Sequence, residues 1–266
     1  MNFFKKLSLR SLGSFFAVIA LSLTSCLNAS EEKHGDKFVV GTTSGYAPYV
    51  SLNAQGEYEG FDIDLAYLIG KRLNREVVIR DLGSMPSLLV GLKKKKIDAI
   101  IWAMSITDDR EKEMDMIYYQ GDKICEMPFV FWKQVPKGVE KIEDLAKVPN
   151  CTICVEAGSY QDSVLQKYPD LKVRYLDKIA DSILELKYRK ALSTVLDNSL
   201  IELLQSQYKD LKVLNLPLPS DQRSLGNGIC IHKENSELTQ KINLIVADLI
   251  AEGEIAKLEK KWNLTH

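Results

Sequence analysis

Short apolar runs of strand length alternate with helix-period segments along nearly the whole chain, and this alternation limits the possible folds more than any other feature. Lys37-Phe38-Val39-Val40-Gly41-Thr42 reads as a buried strand. A loop holding Gly45, Pro48 and Gly56 follows, and then Phe61, Leu65, Leu68, Ile69 and Leu73 recur at helical spacing behind Gly60. Val77-Val78-Ile79 is a second strand. Ser84-Met85-Pro86-Ser87 opens a second helix, with proline tolerated in its first turn and Met85, Leu88, Leu89 and Leu92 on one stripe. The four lysines 93–96 suit the negative end of that helix dipole; a phosphate-binding patch is the alternative. A strand over 97–103 comes next. Such alternation implies an α/β domain with a largely parallel sheet, whose ligands sit beyond the carboxyl ends of the strands.

The pattern then restarts. Phe129-Val130-Phe131-Trp132 is apolar, Ile142-Glu143-Asp144-Leu145 reads as a short helix and Thr152-Ile153-Cys154-Val155 as a strand. A helix running toward Tyr168, a strand at 173–176, a helix at 180–189 and a strand at 193–196 follow. Asp197-Asn198-Ser199 can cap a helix over 200–208. Strands at 211–216 and 228–231 and two closing helices, 236–252 and 254–262, complete the chain. No Gly/Pro/Ser-rich linker divides it. Crossings near 121–125 and 220–225 imply two lobes joined by two hinge strands: 38–122 and 224–266 in lobe 1, 123–223 in lobe 2. A cleft closing by hinge motion is the expected binding geometry.

The first residues stand apart from this pattern. Lys5, Lys6 and Arg10 precede an uncharged apolar run, 11–25, that is short for a membrane span and has the form of an export signal. Its end, Leu23-Thr24-Ser25-Cys26, resembles the bacterial lipobox, which implies a signal peptide over 1–25, cleavage before Cys26 and lipid on that thiol; an ordinary signal peptide or an uncleaved anchor is the alternative. Residues 26–37 are polar and read as a tether. Removing 1–25 takes three basic and no acidic residues, so 35 Lys+Arg against 36 Asp+Glu becomes 32 against 36, a net −4. That balance disfavours nucleic acid and suits a small cationic ligand.

Export permits disulfides, but Cys151 and Cys154 lie three apart in a strand, on opposite faces and too far apart to bridge. The histidines are scattered, so neither metal nor cofactor is expected, and the cysteines read as structural thiols. No nucleophile elbow or phosphate loop is present.

The stretch Trp102-Ala103-Met104-Ser105-Ile106-Thr107-Asp108-Asp109-Arg110 ends the third strand with a hydroxyl and then an arginine. A planar guanidinium matches a carboxylate bidentately, and Ser105 can add a bond. Pairing of Arg110 with Asp108 or Glu113 on a helix face is the plainer alternative.

Together with Tyr46-Ala47-Pro48-Tyr49, Glu59-Gly60-Phe61-Asp62-Ile63-Asp64-Leu65, Gly158-Ser159 and the tail Gly253-Glu254-Ile255 through Trp262, this stretch resembles the extracellular solute-binding proteins of ABC amino-acid importers. The polar-amino-acid branch, and its arginine and basic amino acid binders, are the most similar. The resemblance implies a type II periplasmic-binding-protein fold, export to the periplasm or cell surface with a lipid anchor, and a monomer that delivers its ligand to a membrane permease.

It also implies site roles. Arg110 clamps the ligand carboxylate, with Ser105 and the backbone N–H groups of Ser159, Tyr160 and Gln161 as further donors. Asp197 and the Ala103 carbonyl take the ammonium, Tyr46 stacks on the ligand side chain and Trp102 forms the opposite wall. The plainer alternatives are helix caps for Ser159 and Asp197, and a core position for Trp102. Basic-amino-acid binders commonly carry an acid just before the aromatic, where this chain has Thr43. Glu156 is therefore expected as guanidinium partner, helped by Thr43, with a surface loop position as its alternative. L-Arginine is the expected ligand, with lysine or ornithine besides. A dehydratase-like enzyme on the same fold and a surface lipoprotein with a protein partner are the rival readings.

Overall fold

The computed structural model describes residues 34–176 and 179–264; the expected leader 1–25, Cys26 and the tether up to residue 33 lie outside the described residues. The expected tether runs into the fold at its end. His34 Nδ1 lies 2.9 Å from Asp98 Oδ1, and the first strand begins at Lys37. Among the described residues no helix is long and apolar enough to cross a membrane.

Strand β1 (Lys37–Thr42) leads through a small hairpin, β2 (Ser51–Leu52) with β3 (Tyr58–Glu59), into α1 (Phe61–Leu73). Then come β4 (Glu76–Asp81), α2 (Met85–Lys93), β5 (Ala99–Ser105), α3 (Asp108–Glu113) and β6 (Met114–Gln120). The second set is β7 (Glu126–Trp132), β8 (Thr152–Glu156), α4 (Tyr160–Leu165), β9 (Lys172–Leu176), α5 (Ile179–Lys187), β10 (Ser193–Val195), α6 (Ile201–Gln207) and β11 (Leu211–Pro217). The chain closes with β12 (Asn227–His232), α7 (Ser236–Ala251) and α8 (Glu254–Lys261). The hairpin and β6 are absent from the sequence reading. The helix expected at 142–145 is a 3-10 turn over Ile142–Lys147.

Two five-stranded mixed sheets result, ordered β4-β1-β5-β12-β6 and β9-β8-β10-β7-β11. In each, three parallel strands from consecutive βα units are followed by one antiparallel strand, β12 or β7, and then an edge strand. The antiparallel strand of each sheet is the one entered directly from a crossing. The crossings run side by side, tied by Ile124 N–H to the Ser224 carbonyl at 3.0 Å. This is the two-lobed α/β fold with two hinge strands.

Lobe 1 encloses one continuous apolar core, which also takes in Leu200 from lobe 2. In lobe 2 the period-2 alternation divides the core: Phe129, Phe131, Ile153 and Val155 pack on one face, Val130 and Cys154 on the other. Cys151 and Cys154 accordingly stand in different clusters, both buried and free, with thiols pushed up to about 11 by burial. Cys125 and Cys230 are free as well.

Candidate functional site

The carboxyl ends of β5, β8 and β10 meet the loop after β1 across a cleft of about 470 Å³. Ten of the eleven residues expected there line it: Tyr46, Trp102, Ala103, Ser105 and Arg110 from lobe 1, and Glu156, Ser159, Tyr160, Gln161 and Asp197 from lobe 2. The eleventh, Thr43, lines an adjoining cavity instead. Met85, Ile179, Val195 and Leu196 complete the wall and were not foreseen.

Arg110 is buried, 8% exposed, although it sits on the charged helix α3. The Thr107 hydroxyl caps that helix by accepting from the Arg110 N–H at 3.3 Å. The guanidinium donates from Nη1 to the Ser105 carbonyl at 2.8 Å and from Nη2 to the Gly158 carbonyl at 3.0 Å. One acceptor belongs to each lobe, so this side chain holds the lobes together. Burial disfavours its charge, which nearby Cys230, Glu156 and Tyr160 partly offset. An anion in the cleft would complete that compensation. The expected alternative, pairing with Asp108 or Glu113, is not what Arg110 does here.

The lobe 1 floor is a run of aromatic rings. Trp102 meets Tyr46 at 5.5 Å, Tyr46 stacks on Tyr49 at 5.5 Å, Tyr49 meets Phe61 edge-on at 6.3 Å and Phe61 stacks on Tyr119 at 5.9 Å. Such packing fixes the floor against the core. Gly60 makes it possible: at φ 136° a Cβ there would lie 2.0 Å from the Tyr49 carbonyl oxygen, so only glycine lets the tyrosine loop close over α1.

Strand β5 is bulged where it meets this floor. Met104 pairs with Gly228 but Ile100 with Cys230, so residues 101–103 stand opposite Ile229 alone. Ala103 takes φ +42°, a left-handed value unusual for a residue with a Cβ. Its N–H leaves the ladder and donates to Asp62 Oδ2 at 2.7 Å, while Tyr119 Oη donates to Asp62 Oδ1 at 2.8 Å. Asp62 is fully buried, and burial pushes its carboxyl up to about 7 against the lowering effect of those two bonds. Asp62 is quoted above within the stretch 59–65 without a task of its own. The signal was available, since a carboxylate within an otherwise apolar helix stripe needs a partner.

In lobe 2, Ser159 caps α4 by accepting from the Asp162 N–H at 3.1 Å, and its own N–H goes to the Glu156 carbonyl at 3.2 Å. That amide was expected as a free donor. The structure spends it on the turn, because the Gly158 bend folds back on the strand end. Asp197 Oδ1 caps the 3-10 turn Asn198–Leu200, accepting from the Ser199 N–H at 2.9 Å and the Ser199 hydroxyl at 2.7 Å. It caps a helix start and lines the cleft at once. Tyr160 is buried and donates from its hydroxyl to the Gln222 carbonyl at 2.5 Å. Among the described residues no group of His, Cys, Asp and Glu could hold a metal ion.

Residues 38–265 match the family of bacterial extracellular solute-binding proteins, family 3. Over 254 residues the chain is 34% identical to the probable ABC transporter arginine-binding protein ArtJ of Chlamydia trachomatis serovar D, covering 95% of this chain and 96% of the relative. It is 30% identical to the histidine-binding periplasmic protein of Salmonella typhimurium, covering 85% and 87%. Among solved structures, a crystal structure of a mutant ArgBP from T. maritima superposes with a TM-score of 0.75 at 30% identity, covering 86% of this chain and 96% of that one.

Proposed function

The chain belongs to the bacterial extracellular solute-binding proteins, family 3, and from that premise we propose that it captures a free basic amino acid, L-arginine before lysine or ornithine. The ligand is held between the two lobes and delivered to the membrane permease of an ABC importer. The relatives named for arginine support this reading. In it, the exported protein acts as a monomer at the periplasmic or cell-surface side, anchored by lipid on Cys26.

The observation that carries it is the placement of Arg110 and Asp197, from opposite lobes, on one cleft with an aromatic floor. Arg110 clamps the ligand carboxylate with its remaining N–H donors, and Ser105 adds its hydroxyl. Asp197 keeps a second carboxylate oxygen for the ammonium beyond the one that caps Ser199, and the Ala103 carbonyl is a further acceptor. Tyr46 and Trp102 cover the aliphatic stem, while Glu156 meets the cationic tip. A ligand charged at both ends is satisfied only when the lobes are together, so its binding selects the closed form. The family's role is binding, and the cleft is read as a binding site rather than a catalytic one.

A thermal-shift screen of the twenty amino acids tests this, because a ligand of the folded state alone raises the melting temperature. Arginine should give the largest shift. A larger shift with a neutral amino acid would contradict the basic-ligand assignment.

A further inference from the structure

We propose that Asp81 is the lobe 1 counter-ion for the cationic tip of the ligand side chain, and thereby sets the preference for arginine over neutral amino acids. The inference rests on the arginine reading above and adds a residue that reading does not contain. Beyond its aromatic floor the cleft opens into a second cavity of about 980 Å³. Tyr46, Trp102, Glu156 and Ile179 line both, so the two form one passage with Arg110 at one end. Asp81 lines only the far part. An amino acid whose carboxylate lies on Arg110 and whose stem runs along Tyr46 and Trp102 points its tip at Asp81.

The strand register brings Asp81 there. β1 and β4 run parallel with Thr42 opposite Asp81, so both strands end together and Asp81 stands beside the loop that starts at Thr43. Its carboxylate is pinned by neutral donors. Oδ2 accepts from the Ser44 N–H at 3.0 Å and the Tyr58 hydroxyl at 3.3 Å, and Oδ1 from the Gly83 N–H at 2.8 Å. Partial burial opposes its charge, yet these amides and the Ser44 and Thr43 hydroxyls hold it below the usual carboxylate range. Thr43, expected to touch the ligand, lines this far part and also supports Asp81. The Ser44 and Gly83 amides and the Ser44, Thr43 and Tyr58 hydroxyls that hold the Asp81 carboxylate are all neutral. A carboxylate held ionised by neutral donors, in a cavity walled by Tyr46 and Trp102, suits a guanidinium or an ammonium.

The test is titration calorimetry of the wild-type protein and of Asp81→Asn with arginine and with citrulline, whose ureido group has arginine's length but no charge. The wild type should bind arginine at least tenfold more tightly than citrulline. Asp81→Asn should weaken arginine by about tenfold or more while changing citrulline less than about threefold. Both ligands are read on one sample, so their ratio is insensitive to a partly folded fraction. Should the Asn variant fail to melt cooperatively, Asp81→Ser, whose hydroxyl can still accept from Gly83, carries the same comparison. An unchanged arginine-to-citrulline ratio in the variant overturns the role of Asp81 and leaves the arginine reading standing. A wild type that fails to prefer arginine overturns both, and shows it before any variant is made.

Discussion

In lobe 1 the cleft wall is a ring-packed floor with one buried cation, whereas in lobe 2 it is made of turn residues carrying carboxylates. Both lobes use the same strand order, and both place their site residues beyond strand ends. They differ in what stands behind those ends. Trp102 and Tyr46 rest on an aromatic run reaching Tyr119, and Ala103 is gripped by a buried carboxylate. Glu156, Ser159 and Asp197 rest on two short helix starts. Lobe 1 therefore sets the shape and holds Arg110, and lobe 2 adds the carboxylates of Glu156 and Asp197. The division makes ligand affinity a measure of closure, since the cation and the carboxylate that face the two α-charges of an amino acid, Arg110 and Asp197, stand on different walls.

Substitutions can break this comparison in order of expected effect. Arg110→Ala removes the single cation of the lobe 1 wall. It should weaken every α-amino acid by several hundredfold or more, as expected for a buried charge partner worth roughly 3–5 kcal/mol. Affinities within tenfold of wild type by calorimetry would refute the clamp. Asp197→Asn separates the two tasks of that residue. Asparagine caps as well as aspartate, so melting should hardly move, while all amino acids weaken by about thirtyfold, or roughly 2 kcal/mol. A lowered melting temperature with unchanged affinity would make Asp197 a cap alone. Glu156→Gln should weaken arginine by about tenfold and neutral amino acids less than twofold; equal losses would remove Glu156 from the side-chain end.

The smallest binding effect belongs to Asp62, whose task is to hold the floor. Its carboxyl titrates at about 7 in the fold, against about 4 in an unfolded chain. Between those values the unfolded state loses the proton first, so wild-type stability falls as pH rises from about 4 to 7 and levels off above. Asp62→Asn lacks this term. Its melting temperature relative to wild type should rise across that window and stay constant beyond it. Parallel melting curves from pH 4 to 8 would show that Asp62 is not held protonated by burial.

Much of this was legible in the chain. The runs at 37–42, 152–155 and 228–231 lie in strands because apolar β-branched residues there leave little alternative. Ser84 and Ser159 both cap helices where the spacing placed helix starts. Strand β6 escaped notice because Met114-Asp115-Met116 opens it with no strong β-former, and its pairing with β12 joins residues over a hundred positions apart. The Ser159 amide was misassigned for a local reason, since the Gly158 turn returns it to Glu156. Asp81 looked like an ordinary polar strand end, and only the register with β1 sets it beside Thr43. Long-range register is what a sequence pattern does not carry.

Recognition turns on one contact, the carboxylate of a free amino acid lying on Arg110 while its far end reaches the acids. Calorimetric titration of the wild-type protein with arginine and with agmatine, which is arginine without its carboxylate, tests that contact directly. Arginine should bind at least a hundredfold more tightly than agmatine, the loss expected when a buried charge is left without its partner. Equal affinities for the two would contradict it.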